Sequence, residues 1–141
     1  MTVMGRPSMT VWEPRMLSIL RIMTGLLFME HGLSKLFGFP SAAMHPAFLT
    51  LFWFAGILEC FGGALVVLGL FTRAVAFLLS GEMAIGYFMV HAPKSFFPLL
   101  SGGEAAVLYC FVFLYLCFAG GGEWSLDRLR NATGTSARSR A

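Results

Sequence analysis

Charge is scarce in this chain of 141 residues: Asp, Glu, Lys and Arg make up 12%, against 57% hydrophobic residues and a mean hydropathy of +0.77. An ordinary soluble domain carries about 25% charged residues, and a domain this small exposes a large share of its surface. In water such a composition would leave wide apolar patches uncovered, which excludes a disordered chain and a soluble domain and makes lipid the natural solvent. Cysteine is sparse as well. Cys60, Cys110 and Cys117 lie inside apolar runs with no Cys-x-x-Cys pair, which argues against a disulfide framework or zinc ribbon and for buried packing thiols. Cys110 and Cys117, seven apart on one helix face, leave a thiol-redox reading open. No basic block marks a nucleic-acid site, and no nicotinamide, flavin or haem fingerprint is present.

Four apolar runs are present, from Met16 to Phe37, Ala47 to Leu70, Ala74 to Val90 and Glu104 to Ala119. Each is near the span of about 20 residues that crosses the hydrocarbon layer. Between them stand Gly38-Phe39-Pro40-Ser41, the abrupt Phe71-Thr72-Arg73, and a segment from Ala92 to Gly103 with Pro93, Pro98 and Gly102-Gly103, all turn chemistry. The runs lack the alternation of barrel strands, and lipid offers no partner for open backbone. An all-α, integral membrane four-helix bundle with antiparallel neighbours is therefore predicted, flanked by an N-terminal tail (1–14) and a basic, disordered C-terminal tail (128–141), with the bundle over 15–127. Ser41-Ala42-Ala43 could end a signal peptide, but the first run is longer than the usual core of about 7–15 residues and carries Glu30, His31 and Lys35. It is read as a permanent span. Eight of the ten Lys and Arg residues fall at the termini and the middle turn, leaving Lys35 and Lys94 on the other side. The positive-inside rule then places both termini in the cytoplasm, in a multi-pass protein of the inner (cytoplasmic) membrane, with Trp12 and Trp124 as interfacial anchors.

Of the seven acidic residues, four fall in or at the edge of a span, one per helix: Glu30, Glu59, Glu82 and Glu104. A charge at mid-membrane costs at least about 2.5–3.5 kcal/mol, so pairing, protonation or a polar cavity is implied. Counting about 1.5 Å per residue puts all four between the membrane centre and the outer face, with His31, His45, His91, Lys35 and Lys94. One polar cluster is the simplest arrangement. Gly56, Glu59, Cys60 and Gly63 share one face of the second span, small enough for close helix approach, so Glu59 should point inward. Arg21, Gly25, Phe28, Gly32 and Lys35 form a stripe on the first span with His31 at its edge, while Glu30 lies on a different side. Four carboxylates against two lysines, with neutral histidines, require shared protons, the material of a proton relay or of a site that reduces and protonates a quinone. Structural pairing of His31 with Lys35, or Glu104 with Lys94, is the alternative. A di-iron site fails because no glutamate here has histidine three residues on; no metal is expected. A bis-histidine haem between His31 and His91 is geometrically conceivable but has no motif behind it. Phe28-Met29-Glu30-His31 faintly repeats as Phe88-Met89-Val90-His91.

Leu20-Arg21 followed by Phe28-x-x-His31-Gly32-x-x-Lys35-Leu36-Phe37-Gly38-Phe39, then Gly56-x-x-Glu59-x-x-Gly62-Gly63 and Leu68-Gly69-Leu70-Phe71-Thr72-Arg73, resemble the DoxX family of small membrane proteins. Tyr87-Phe88 with His91-x-Pro93, Phe96-Phe97-Pro98, Gly102-Gly103-Glu104, Leu108-Tyr109 and Gly120-Gly121-Gly122-x-Trp124-Ser125-Leu126-Asp127 are similar to the same family, so the resemblance covers residues 15 to 127. It implies a four-helix membrane fold and a respiratory or redox role: electron delivery to membrane quinone, as beside the DoxD-type subunits of sulfur oxidation, or support of a partner enzyme under oxidative stress.

The expected function is thus the membrane subunit of a quinone-linked redox system, an oxidoreductase component rather than a stand-alone enzyme. His31, Glu59, His91 and Glu104 would handle protons, with Arg21, Lys35, Glu82 and Tyr109 around the cofactor. The partners expected are the lipid bilayer, a redox protein and further copies of the chain. A noncatalytic assembly protein and a small-solute or proton transporter are the competing readings.

Overall fold

A computed structural model describes residues 7–138, and every secondary-structure element among these residues is helical. The helices are α1 (Pro7–Phe37), α2 (Leu51–Leu68), α3 (Thr72–Gly86), the short α4 (Pro98–Ser101), α5 (Glu104–Ala119) and α6 (Leu126–Arg138), with a π turn over Tyr87–His91 prolonging α3. Three helical stretches are long and apolar enough to cross a membrane: Thr10–Phe37, Leu51–Leu68 and Thr72–His91. The fourth apolar helix, Glu104–Ala119, has 16 residues, about 24 Å at the helical rise. It is bounded by Gly103 and by Gly120 at φ +87°, so it is shorter than the other three.

The ends of the helices follow from local chemistry. Thr50 caps α2 by accepting from the Trp53 amide, and Gly69 ends it in the left-handed conformation, φ +68°. The start of α3 is capped from far along the chain: the Asp127 carboxylate accepts from the Phe71 and Thr72 amides, 2.8 Å each. Burial works against the charged form, yet these amides and the nearby Arg130 hold Asp127 below the usual carboxylate range.

The bundle is built from two tight pairs, α1 with α2 and α3 with α5, joined mainly along α2 and α3. The first pair closes on glycine. A Cβ at Gly32 would stand 2.5 Å from the Cys60 backbone nitrogen, and one at Gly25 would stand 2.9 Å from the Gly63 carbonyl oxygen. The Cβ at Gly32 would also stand 2.8 Å from the Gly56 carbonyl oxygen, so the crossings Gly32–Gly56 and Gly25–Gly63 lie one heptad apart on each helix, a small-residue seam of the kind that brings membrane helices together. Ser80 donates to the Cys110 carbonyl at 2.8 Å across the second pair. Phe28, Val66, Ala76, Leu79, Phe113 and Leu116 form the buried core between the pairs.

Two expectations for the tails are corrected. Helix α1 begins by Pro7, inside the stretch read as an N-terminal tail, and runs through Pro14. The C-terminal stretch read as disordered from 128 is helical to Arg138, because Ser125 caps α6 by accepting from the Arg128 amide and Asp127 ties its first turn to α3. Residues 1–6 and 139–141, also assigned to tails, lie outside the described residues.

Candidate functional site

The glycine seam sets the site. Lys35 passes over Gly56, where a Cβ would come 2.8 Å from its own Cβ, and so reaches the next turn of α2. There Lys35 Nζ lies 2.5 Å from Glu59 Oε1. The lysine side chain is 12% exposed and that of the glutamate 2%, so the pair is internal. Glu59 stands eight residues into α2, about 12 Å along a helix of 18 residues, close to its middle.

On the facing helix α3, Glu82 completes a triad. Both of its carboxylate oxygens are buried without a hydrogen-bond partner, as is Glu59 Oε2. Glu82 lies within electrostatic reach of both Glu59 and Lys35. His31, on α1, lies within electrostatic range of Glu59 and packs edge-on against Tyr109 of α5, ring centroids 5.7 Å apart. Its Nδ1 is 3.0 Å from the Leu27 carbonyl, which leaves Nε2 for other chemistry. Each of the four apolar helices thus contributes at least one group: His31 and Lys35, Glu59, Glu82, and Tyr109.

The other expected site residues lie elsewhere. His91 stacks on Tyr87 and contacts the Ser101 carbonyl at 3.1 Å through Nδ1, while the Tyr87 hydroxyl donates to the Phe96 carbonyl. The two side chains pin the segment between α3 and α5, and Gly103 leaves room for both, since a Cβ there would meet them at 2.7–2.9 Å. Glu104 is exposed at the first turn of α5, where a negative charge is favoured by the helix dipole, and it forms no ion pair with Lys94. Glu30 is exposed, on the side anticipated for it.

Arg21 lies 14 residues before Lys35, about 21 Å along α1, at the opposite end of the bundle. It is fully buried and donates to the carbonyls of Gly121 (2.7 Å), Val67 (2.5 Å), Trp124 (2.6 Å) and Val66. Four carbonyls, from the end of α2 and the glycine turn after α5, surround one guanidinium. Its donors match them without a carboxylate. Arg21 and the distant cap Asp127 are structural keystones that no spacing rule reveals. A lone arginine inside an apolar run was the visible signal for Arg21. Among the described residues no group of three or more His, Cys, Asp or Glu side chains is placed to hold a metal.

The DoxX family model matches residues 16–92. The chain belongs to the DoxX family. An uncharacterized protein of Haemophilus influenzae is 41% identical over 126 residues, covering 82% of this chain and 91% of that protein. A Bacillus subtilis protein named "Putative oxidoreductase CatD" is 30% identical over 115 residues, covering 77% of this chain and 82% of that protein. No solved structure matches the chain significantly. The matched region of the family model spans α1 to the π turn, and so includes Lys35, Glu59 and Glu82 but not Tyr109.

Proposed function

We propose that this DoxX-family protein is the membrane subunit of a quinone-linked redox system, set in the inner membrane with both termini cytoplasmic, and that Lys35, Glu59 and Glu82 handle protons at its centre. The observation that carries the reading is Glu82. Its carboxylate oxygens are buried and bond to nothing, beside an ion pair that is already complete. Holding such a group in the membrane is costly, and Glu82 caps no helix and ties no loop. Two carboxylates and one ammonium become neutral on gaining one proton, so the triad can switch between two charge states as a proton enters or leaves. His31, whose imidazole can both accept and donate a proton, offers the next stop for that proton.

A quinone suits these residues because the orphaned oxygens of Glu82 and Glu59 are hydrogen-bonding groups without structural duties of their own, with the Tyr109 ring packed against His31 beside them. When bound, it would supply a two-electron redox change coupled to proton uptake. The residues of this chain would orient the headgroup and hold a proton at a Glu82 oxygen, with electrons arriving from a partner protein. The relative named as an oxidoreductase supports the redox class, and the concentration of eight Lys and Arg residues at the end holding the termini supports the orientation. The Lys35–Glu59 pair alone would equally suit a noncatalytic assembly protein, since it joins α1 to α2. Glu82 favours proton handling.

Glu82→Gln keeps the shape of the side chain and removes its ability to release a proton. Quinone reduction by membranes carrying equal amounts of protein should fall about 100-fold, the scale of a lost proton-transfer group, while the exposed Glu30→Gln leaves the rate unchanged. An unchanged rate in Glu82→Gln would remove the mechanism.

A further inference from the structure

At the end of the bundle opposite the triad's histidine side, where the start of α3, the glycine turn after α5 and α6 meet, a cleft of about 520 Å³ opens. We infer that this cleft binds the headgroup of an anionic phospholipid. Its walls include Phe71, Arg73, Gly120, Asp127, Arg128 and Arg130, three guanidiniums against one carboxylate. That carboxylate is already engaged by the Phe71 and Thr72 amides. Arg130 lies over the Phe71 ring at 4.6 Å and 3.9 Å from Asp127, and Arg128 lies 3.9 Å from Glu123. Both contacts join an exposed guanidinium to a partly exposed carboxylate at the outer limit of an ion pair, so neither arginine is fully engaged. Arg73 is exposed and makes no ion pair. The wall facing it is Gly120, where a Cβ would stand 3.5 Å from Arg73 Nε.

The cleft stands at the ends of two apolar helices, the depth at which headgroups lie. Basic pockets between membrane helices at that depth recognise acidic headgroups. What favours a lipid over a soluble phosphate is the surface leading away from the cleft. Phe77, one turn into α3 on the same face as Arg73, is 63% exposed, and Phe118, two residues before Gly120, is 73% exposed. A headgroup held by the arginines would lay its acyl chains along these rings. The site is independent of the redox reading, and His31 does not line it.

Native mass spectrometry of the purified full-length protein, titrated with phosphatidylglycerol, phosphatidylcholine or soluble glycerol phosphate, tests the site. Phosphatidylglycerol should bind more tightly than the other two. Arg73→Gln should weaken it about fivefold, and Arg73→Gln with Arg130→Gln about 25-fold, following the usual contribution of one arginine near an anionic surface. Arg15→Gln, at the same end but outside the cleft, should change binding less than twofold. Helix content measured by circular dichroism keeps a misfolded variant from counting as support. Equal binding of the two lipids, displacement of phosphatidylglycerol by equimolar glycerol phosphate, or an Arg15→Gln effect matching Arg73→Gln would each overturn the assignment.

Discussion

At the scale of single residues, the buried ion pair is open to a direct test. Lys35 and Glu59 each leave water to meet inside the bundle, and removing one partner strands the other. Lys35→Met should therefore destabilise the protein by about 3–5 kcal/mol in detergent unfolding, whereas Lys35→Met with Glu59→Leu should recover most of that loss. The double-mutant cycle measures the coupling directly, and independent, additive effects would mean that the pair does not hold α1 to α2. Both residues were legible as inward-facing in the sequence because each sits on a stripe with glycine at helical spacing: Gly25, Gly32 and Lys35, and Gly56, Glu59 and Gly63. Their choice of each other was not legible. Sequence spacing gives the face a residue occupies on its own helix, but not the axial register between two helices. That register is set here by backbone contact at the glycines.

At the scale of elements, the seam between α1 and α2 has a sharp steric signature. Gly32→Ala drives its new methyl against the Cys60 backbone, which cannot rotate away. It should separate the helices and lower the unfolding temperature markedly. Gly81→Ala, where nothing lies within 4 Å of the new atom, should be neutral or stabilising by up to about 1 kcal/mol through helix propensity. If both alanines behaved alike, close packing would not be what joins α1 and α2. The cap on α3 carries a pH dependence. Asp127 is held below its usual range in the folded protein, so its contribution is fully present above its unfolded value near pH 4 and is lost as pH falls through the lower folded value. Asp127→Ala should cost about 0.5–2 kcal/mol at pH 7 and converge on the parent protein in acid. A constant difference across that window would contradict the cap. The helices themselves were readable from apolar runs and breakers. Helix α6 was not, because its sequence is polar and only contacts through Ser125 and Asp127, made after the bundle has formed, give it a place to start.

At the scale of the whole molecule, the two ends of the bundle are chemically different. One end holds the Arg21 clamp, the start of α6 and the arginine cleft, and its polar groups are largely satisfied by backbone carbonyls or amides. The interior toward the other end holds the Lys35–Glu59–Glu82 triad with His31 and Tyr109 beside it, where three carboxylate oxygens remain unsatisfied. Sequence alone merges the triad and His31 with His91 and Glu104 into one outer cluster, because counting residues along each helix gives depth but no lateral position, and it assigns Arg21 to the same cofactor although that residue opens the first span from the opposite side. The structure separates them: Arg21 bonds carbonyls at the far end, His91 holds a loop, and Glu104 faces outward at a helix start. What remains at the centre is small, and its proposed role is specific. Infrared difference spectroscopy on the protein in quinone-loaded membranes, recorded as the quinone is reduced, tests it most directly. A carboxyl band that shifts on reduction and vanishes in Glu82→Gln is the predicted result. A spectrum in which no carboxyl band responds to reduction, or in which the responding band survives Glu82→Gln, would contradict it.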